Sequence, residues 1–271
     1  PLQPGQKRDL HYGFVNVVSG LRAEAVLFNS SYHLEAFFNE LPRLLKHFPD
    51  YNELWAVEAL REKSQVLPLG LDLARLDTQR PGQPVAGRPT ILWNHRWEYD
   101  KDPETFFRAI QRLADEGLDF GLVLLGESFR NHPVEFLKAR RRMPERIVHF
   151  GYARGQDRYA QLLWHSDIVV STALHEFFGA SVVEAVYCGC SPILPRGLSY
   201  PELIPEEMHR RCLYDDFEGL LERLRDAVQD IDCTRADSLR AAVEQYDWRI
   251  MAPRYDSLLD NLVRRVPSAG G

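Results

Sequence analysis

The sequence predicts an α/β protein built on a parallel sheet with helices on both faces. Three observations carry this expectation. From Thr90 onward, short apolar runs alternate with amphipathic stretches of helical period. Those runs, such as Phe120–Leu125 (FGLVLL), lack the in–out alternation of a strand with one wet face, so both faces are expected to be covered. Residues 77–89 (DTQRPGQPVAGRP) hold three prolines and two glycines with little apolar content, which reads as a linker.

Taken in order, Ala25–Asn29 (AVLFN) is expected as a strand and Ser31–Phe48 as an amphipathic helix that Pro42 breaks or kinks. Gln65–Leu69 is a further strand, ended by Gly70. Beyond the linker come strands at Thr90–Asn94, Phe120–Leu125, Ile147–Phe150, Ile168–Ser171, Pro192–Leu194 and Cys212–Tyr214. Helices are expected at Asp102–Glu116, Pro133–Arg142 and Asp157–His165, and near 217–228, 235–245 and 249–264. Asp102-Pro103 is a helix start with proline at the first position. The resulting plan is a partial N-terminal domain at 1–76, a linker at 77–89, a regular α/β domain at 90–248 and a last helix at 249–271 that crosses back to the N-terminal domain.

Bulk properties exclude several classes. Of 271 residues, 45% are apolar and 27% charged, which fits a packed globular chain rather than a disordered one. No apolar run is long enough to span a bilayer, and the expectation is a cytoplasmic protein without membrane contact. The formal charge of −6 does not favour a general nucleic-acid coat, although a local basic face stays open. Cys188, Cys190, Cys212 and Cys233 show neither a CxxC pair nor zinc-finger spacing and are expected as reduced thiols. GxSxG, P-loop, HExxH and strand-following GxGxxG patterns are lacking.

In parallel sheets ligands gather at the carboxyl ends of the strands. Two stretches with chemistry fall there. In His175-Glu-Phe-Phe-Gly-Ala-Ser-Val-Val-Glu184, Ser181 and Glu184 match a capping box, and Gly189 stands where a helix ends. A short helix from about Val182 to Cys188 would aim its amides at the strand ends, an anion site that Gly179 and Ala180 leave open to close approach. Local spacing leaves two readings of each carboxylate open: Glu184 as cap partner or ligand group, Glu176 as solvated loop residue or ligand group. The second stretch is Asn94-His-Arg-Trp-Glu-Tyr-Asp-Lys-Asp102, where Arg96 and Lys101 either converge on one anion or pair with Glu98 and Asp100. Asp100-Lys101-Asp102 is set aside as a metal motif, because Asp102 reads as a helix cap. The run Lys138–Arg142 with Arg146 is a polyanion contact or a solvated helix face, and His11 and His175 are lone histidines.

These residues carry a family resemblance. Glu176-Phe-Phe-Gly179 through Glu184-Ala185 resembles the EX7E pattern of retaining GT-B glycosyltransferases in their large fourth family. Arg96 and Lys101 match the Arg and Lys that follow the first strand of the C-terminal domain there, and Phe150-Gly151-Tyr152 is similar to the base-pocket turn. The ordered segments DLHYGFVNVVSGL, VLFNSSYH, LPLGLDL, ILWNHRWEYDKDPETFF and HEFFGASVVEAVYCGC resemble the tRNA-queuosine mannosyltransferase family. The resemblance implies a GT-B fold with a Rossmann-like C-terminal domain. It also implies transfer of mannose, with retention, from GDP-mannose in the interdomain cleft to queuosine in a tRNA anticodon. No cofactor or metal is implied, and the partners are the sugar nucleotide and tRNA. Arg96, Lys101 and Glu176 would be catalytic. Asn94, Gly126, Tyr152, His175, Phe177, Phe178, Gly179, Ala180, Ser181 and Glu184 would bind the donor, Glu176 through sugar hydroxyls and Glu184 through the ribose. A GT-B enzyme has two complete domains. By that comparison the N-terminal one lacks its first half here, and the sequence, which begins at Pro1, reads as N-terminally truncated.

Overall fold

A computed structural model describes residues 9–47, 50–82, 87–126, 134–230 and 237–265. Cys233, part of the expected linker (83–86), Phe48, Pro133 and the start of the helix expected near 235 lie outside them. The chain divides into two compact units: Leu71–Asp247, and Leu2–Gly70 together with Trp248–Gly271.

In the second unit, β1 (Val26–Phe28) and β2 (Ser64–Val66) pair in parallel. Helices Leu10–Arg22, Ser31–Leu45 and Trp55–Arg61 surround a core that includes Val17, Phe28, Phe38, Leu41 and Leu60. Pro42 sits inside the last turn of Ser31–Leu45 without ending it at once. The helix Trp248–Arg265 belongs to this unit; its Tyr255 hydroxyl donates to the carbonyls of Leu67 and Pro68 (3.4 and 3.3 Å). Gly70 lies against the Trp248 indole so closely that a Cβ would overlap it.

The first unit holds a six-stranded sheet of β3 (Thr90–Asn94), β4 (Gly121–Leu125), β5 (Ile147–Gly151), β6 (Ile168–Val170), β7 (Ser191–Pro195) and β8 (Leu213–Tyr214). Its order is β5-β4-β3-β6-β7-β8, with every pair parallel. Renumbered from its own first strand this is the 3-2-1-4-5-6 order of a Rossmann sheet, whose winding reverses between β3 and β6. Successive side chains of each strand enter opposite layers. Ile91, Trp93, Leu122, Leu124, Ile168 and Val170 pack on one face. Leu92, Val123, Leu125 and Val169 pack on the other. On the first face the Pro103–Asp115 helix buries Phe106, Phe107, Ile110 and Leu113, each worth roughly 1.5–3 kcal/mol. No described helix is long and apolar enough to cross a membrane.

The boundary expected after residue 76 falls earlier. Leu73 and Leu76 are buried in the larger unit, the Asp247 carboxylate accepts from the Ala74 N–H (2.9 Å), and Asp77 accepts from Tyr187 (2.7 Å) and faces Arg240 (3.1 Å). The start of the proline-rich stretch is thus packed structure: Asp77–Gln79 forms a single 3-10 turn.

Candidate functional site

A cleft of about 750 Å³ opens at the carboxyl ends of β3, β4 and β6 in the larger unit. Reversal of winding forces the loops after β3 and β6 apart, and this opens the crevice. Asn94, Arg96, Lys101, Gly126, Tyr152, Glu176, Ala180, Ser181 and Glu184 line it. His175, Phe177, Phe178 and Gly179 are not among its lining residues. Phe178 is buried against Tyr246 (centroids 5.2 Å), Phe177 meets the His175 ring edge-on (4.4 Å), and Gly179 packs under Tyr200 and Leu203.

Lys101 is buried, and its ammonium lies 2.9 Å from the His175 carbonyl, 3.3 Å from Glu176 Oε2 and 3.3 Å from Asp100 Oδ2. Three acceptors meet three N–H bonds. Glu176 Oε1 accepts the backbone N–H groups of Phe177 (3.0 Å) and Phe178 (3.2 Å). Burial alone would raise the Glu176 carboxyl, but Lys101 and the Phe178 N–H outweigh it and hold the group below the ordinary carboxylate range. The Phe177 and Phe178 amides are therefore engaged by Glu176 itself. Ala180 and Ser181, the first residues of the Ala180–Tyr187 helix, border the cleft. Arg96 reaches Glu98 (3.2 Å) with 60% of its side chain exposed, so its guanidinium remains accessible.

The capping box does not form. Gly179, at φ +89°, is the N-cap, and its carbonyl takes the N–H groups of Val182 and Val183. The helix starts earlier than the Ser181-x-x-Glu184 spacing suggests, because glycine adopts this left-handed backbone without a Cβ clash. Ser181 becomes a helical residue whose carbonyl accepts from the Asn94 amide (3.3 Å). Glu184, released from capping, accepts at Oε2 from the Tyr159 hydroxyl (2.5 Å), which in turn accepts from the Asn94 amide (2.8 Å). Burial raises the Glu184 carboxyl, and the Tyr159 hydrogen bond offsets part of that. Gly189, at φ +92°, follows the Cys188 C-cap as expected. Asp102 caps the Pro103–Asp115 helix (Oδ1 to Thr105 N–H, 3.2 Å), which accounts for it without a metal role. In the basic run, Arg140 lies over the Phe150 ring (5.0 Å), and Arg146 donates to the carbonyls of Leu118 and Phe120, a structural use.

Sequence reasoning passed over His95. It lines the cleft, is buried, hydrogen-bonds to the Val170 backbone, and leaves Nε2 without a partner among the described residues. Burial first, and Lys101 second, bring its pKa down to about 4 from 6.5. Its place right after β3 was the available signal; its burial against β6 depends on sheet order. The sign of the pH effect follows. Between pH 6.5 and 4 the unfolded chain binds a proton that the native imidazole refuses, so stability is full above pH 6.5 and falls as pH drops toward 4. Across that window roughly 3 kcal/mol should be lost through this group. Urea titrations on a His95→Gln variant should show a shallower slope in that range, and an unchanged slope would remove His95 as its source. Asp72, Arg75, Leu76, Gln156, Asp157 and Tyr159 also border the cleft without having been anticipated.

Comparison with known proteins adds to this geometry. The family model described as tRNA-queuosine alpha-mannosyltransferase N-terminal matches residues 1–71, and the model of glycosyl transferases group 1 matches residues 77–242. A tRNA-queuosine alpha-mannosyltransferase of Drosophila melanogaster is 33% identical over 83% of this chain and 60% of its own length. A GDP-mannose:cellobiosyl-diphosphopolyprenol alpha-mannosyltransferase of Xanthomonas campestris is 23% identical over 90% of this chain and 64% of its own. The chain thus spans about three fifths of the length of these two curated relatives. Among solved structures, sucrose-phosphate synthase from Thermosynechococcus elongatus superimposes with a TM-score of 0.73 at 20% identity, over 97% of this chain and 64% of that one. Anabaena HepE in complex with UDP gives 0.67 at 17% identity, over 96% of this chain and 70% of that one. These likenesses share the parallel-sheet fold.

Proposed function

We propose, from the premise that this chain belongs to the group 1 glycosyl transferases, that its cleft binds a nucleoside-diphosphate sugar and serves retaining transfer of mannose from GDP-mannose to queuosine in tRNA. One observation carries the reading: Arg96 and Lys101 from the β3 end and Glu176 and Glu184 from the β6 side line a single cavity. Its volume suits a ligand of this size. The matched N-terminal model and the Drosophila relative support the tRNA acceptor, and relatives named for GDP-mannose support the donor. A tRNA acceptor would make the reaction cytoplasmic.

In this reading Arg96 holds the diphosphate and Lys101, engaged by its protein acceptors, adds positive charge beside it; together they stabilise the charge that grows there, so the reaction needs no metal. The bond from the sugar's anomeric carbon to the phosphate oxygen breaks, and its electron pair stays on the diphosphate. The acceptor hydroxyl forms the new bond on the same face, and its proton passes to the departing phosphate. Glu176 orients sugar hydroxyls, Glu184 the ribose, and the exposed Tyr152 flanks the base. Phe177, Phe178, His175 and Gly179 shape the loop that carries Glu176.

Arg96→Ala should weaken GDP binding at least tenfold by calorimetry, since one partner of a charge-assisted contact is lost. Its melting temperature should not move, because the side chain is 60% exposed. An unchanged affinity would take Arg96 out of the site. For the reaction, radiolabelled GDP-mannose offered with queuosine-containing tRNA should label the tRNA with mannose. Label that appears only on another acceptor, or only from UDP-sugars, would overturn the reading.

A further inference from the structure

The comparisons join proteins named for GDP-mannose to a solved structure holding UDP, and the base is what separates these donors. The cleft carries charges that none of the roles above uses. Its wall is completed by a segment from outside the regular strand–helix alternation: the Leu73–Leu76 helix and the turn after it. This segment lies along the Gln156–Trp164 helix. Trp164 Nε1 donates to the Leu76 carbonyl (2.8 Å), and Gln161 bonds Gln79 (3.0 Å). With Ala74 tied to Asp247 at one end and Asp77 to Arg240 at the other, its backbone is fixed. Arg75 from this segment and Asp157 from the facing helix both border the cavity, which Tyr152 and Gln156 also line.

Both side chains are exposed, and neither makes an ion pair or side-chain hydrogen bond among the described residues. In this they differ from Arg96, which has Glu98, and from Lys101, which has Glu176. A guanidinium and a carboxylate from two segments line one pocket with no side-chain partner among the described residues, and the same pocket is lined by an exposed tyrosine, Tyr152, whose ring can stack on a base.

We propose that Arg75 and Asp157 read the base of the nucleotide and select guanine, an inference that rests on the nucleotide-sugar reading of the cleft. Guanine offers neighbouring acceptors, O6 and N7, which suit the fork of an arginine. It also offers two neighbouring donors, N1–H and the 2-amino group, which suit the two oxygens of a carboxylate. Uracil has one N–H between two carbonyl oxygens, so a carboxylate that accepts from it also meets an acceptor. Adenine lacks the pair of adjacent donors. Arg75 together with Asp157 is thus complementary to guanine and mismatched to the others.

The test is calorimetry of the 271-residue protein with GDP, IDP and UDP, and of its Arg75→Ala and Asp157→Asn variants. Both side chains are exposed, so the variants should keep the wild-type melting temperature, which is measured alongside. The native protein should bind GDP at least tenfold more tightly than UDP, and severalfold more tightly than IDP, which lacks the 2-amino group. Asp157→Asn should close the gap between GDP and IDP. Arg75→Ala should weaken GDP and IDP about tenfold and leave UDP unchanged. Equal losses for GDP and UDP, no loss in either variant, or a native preference for UDP would overturn the proposal while leaving the nucleotide site in place. A native protein that binds none of the three nucleotides would overturn the site reading itself.

Discussion

Replacing Lys101 with alanine should cost about 3–5 kcal/mol of stability and abolish detectable nucleotide binding. The ammonium is buried between Glu176, Asp100 and the His175 carbonyl, and its removal leaves two carboxylates facing each other without a counter-charge. The stability cost comes from the orphaned anions more than from the lost attraction. A Lys101→Met, Glu176→Gln double variant should therefore recover a large part of the stability without recovering binding. Urea unfolding of the single and double variants separates the two effects. A loss below about 1 kcal/mol in the single variant would mean that water reaches the pair more freely than its burial implies.

The second large effect is expected at Gly126. Its φ of +130° is a backbone conformation that side chains rarely adopt, and a Cβ there would run into the His95 carbonyl. Gly126→Ala should destabilise by roughly 3 kcal/mol, from backbone strain and overlap together. Because Gly126 and His95 both line the cleft, the damage should also reach the ligand: nucleotide affinity should fall even at temperatures where the variant is fully folded. Thermal melts and calorimetry at 10 °C distinguish these. A variant with native stability would show that the loop relaxes away from His95.

How legible this was in the sequence depended on the range of the forces involved. The strands of the large sheet were readable because burial on both faces leaves a continuous apolar run, as in Gly121–Leu125. The Pro103–Asp115 helix was readable because Asp102-Pro103 and the phenylalanine spacing are local. Lys101, Glu176 and Glu184 were placed by their position after strands together with the family resemblance. The helices Leu10–Arg22 and Trp55–Arg61 did not emerge from periodicity: Tyr12, Phe14, Val15, Val18 and Trp55 are exposed, which blurs an apolar stripe. The capping box failed because Ser-x-x-Glu spacing is a weak pattern, and one glycine with positive φ suffices to start the helix earlier. His95, Arg75 and Asp157 stayed hidden for a different reason. Their places in the cleft depend on which strand lies beside which, and on a segment before the sheet that packs onto a helix some eighty residues later.

The discontinuity of the smaller unit has a bearing on biosynthesis. Residues up to Gly70 leave the ribosome ahead of the larger unit, but the helix that joins them in the smaller unit begins only at Trp248. At ~5–20 residues per second the early segment waits on the order of ten seconds or more for that helix. Until then Gly70 has no indole to pack against, and the carbonyls of Leu67 and Pro68 have no Tyr255 hydroxyl. The larger unit, continuous from Leu71 to Asp247, can fold in the interval. The smaller unit is therefore completed only after the whole of the larger one has been synthesised.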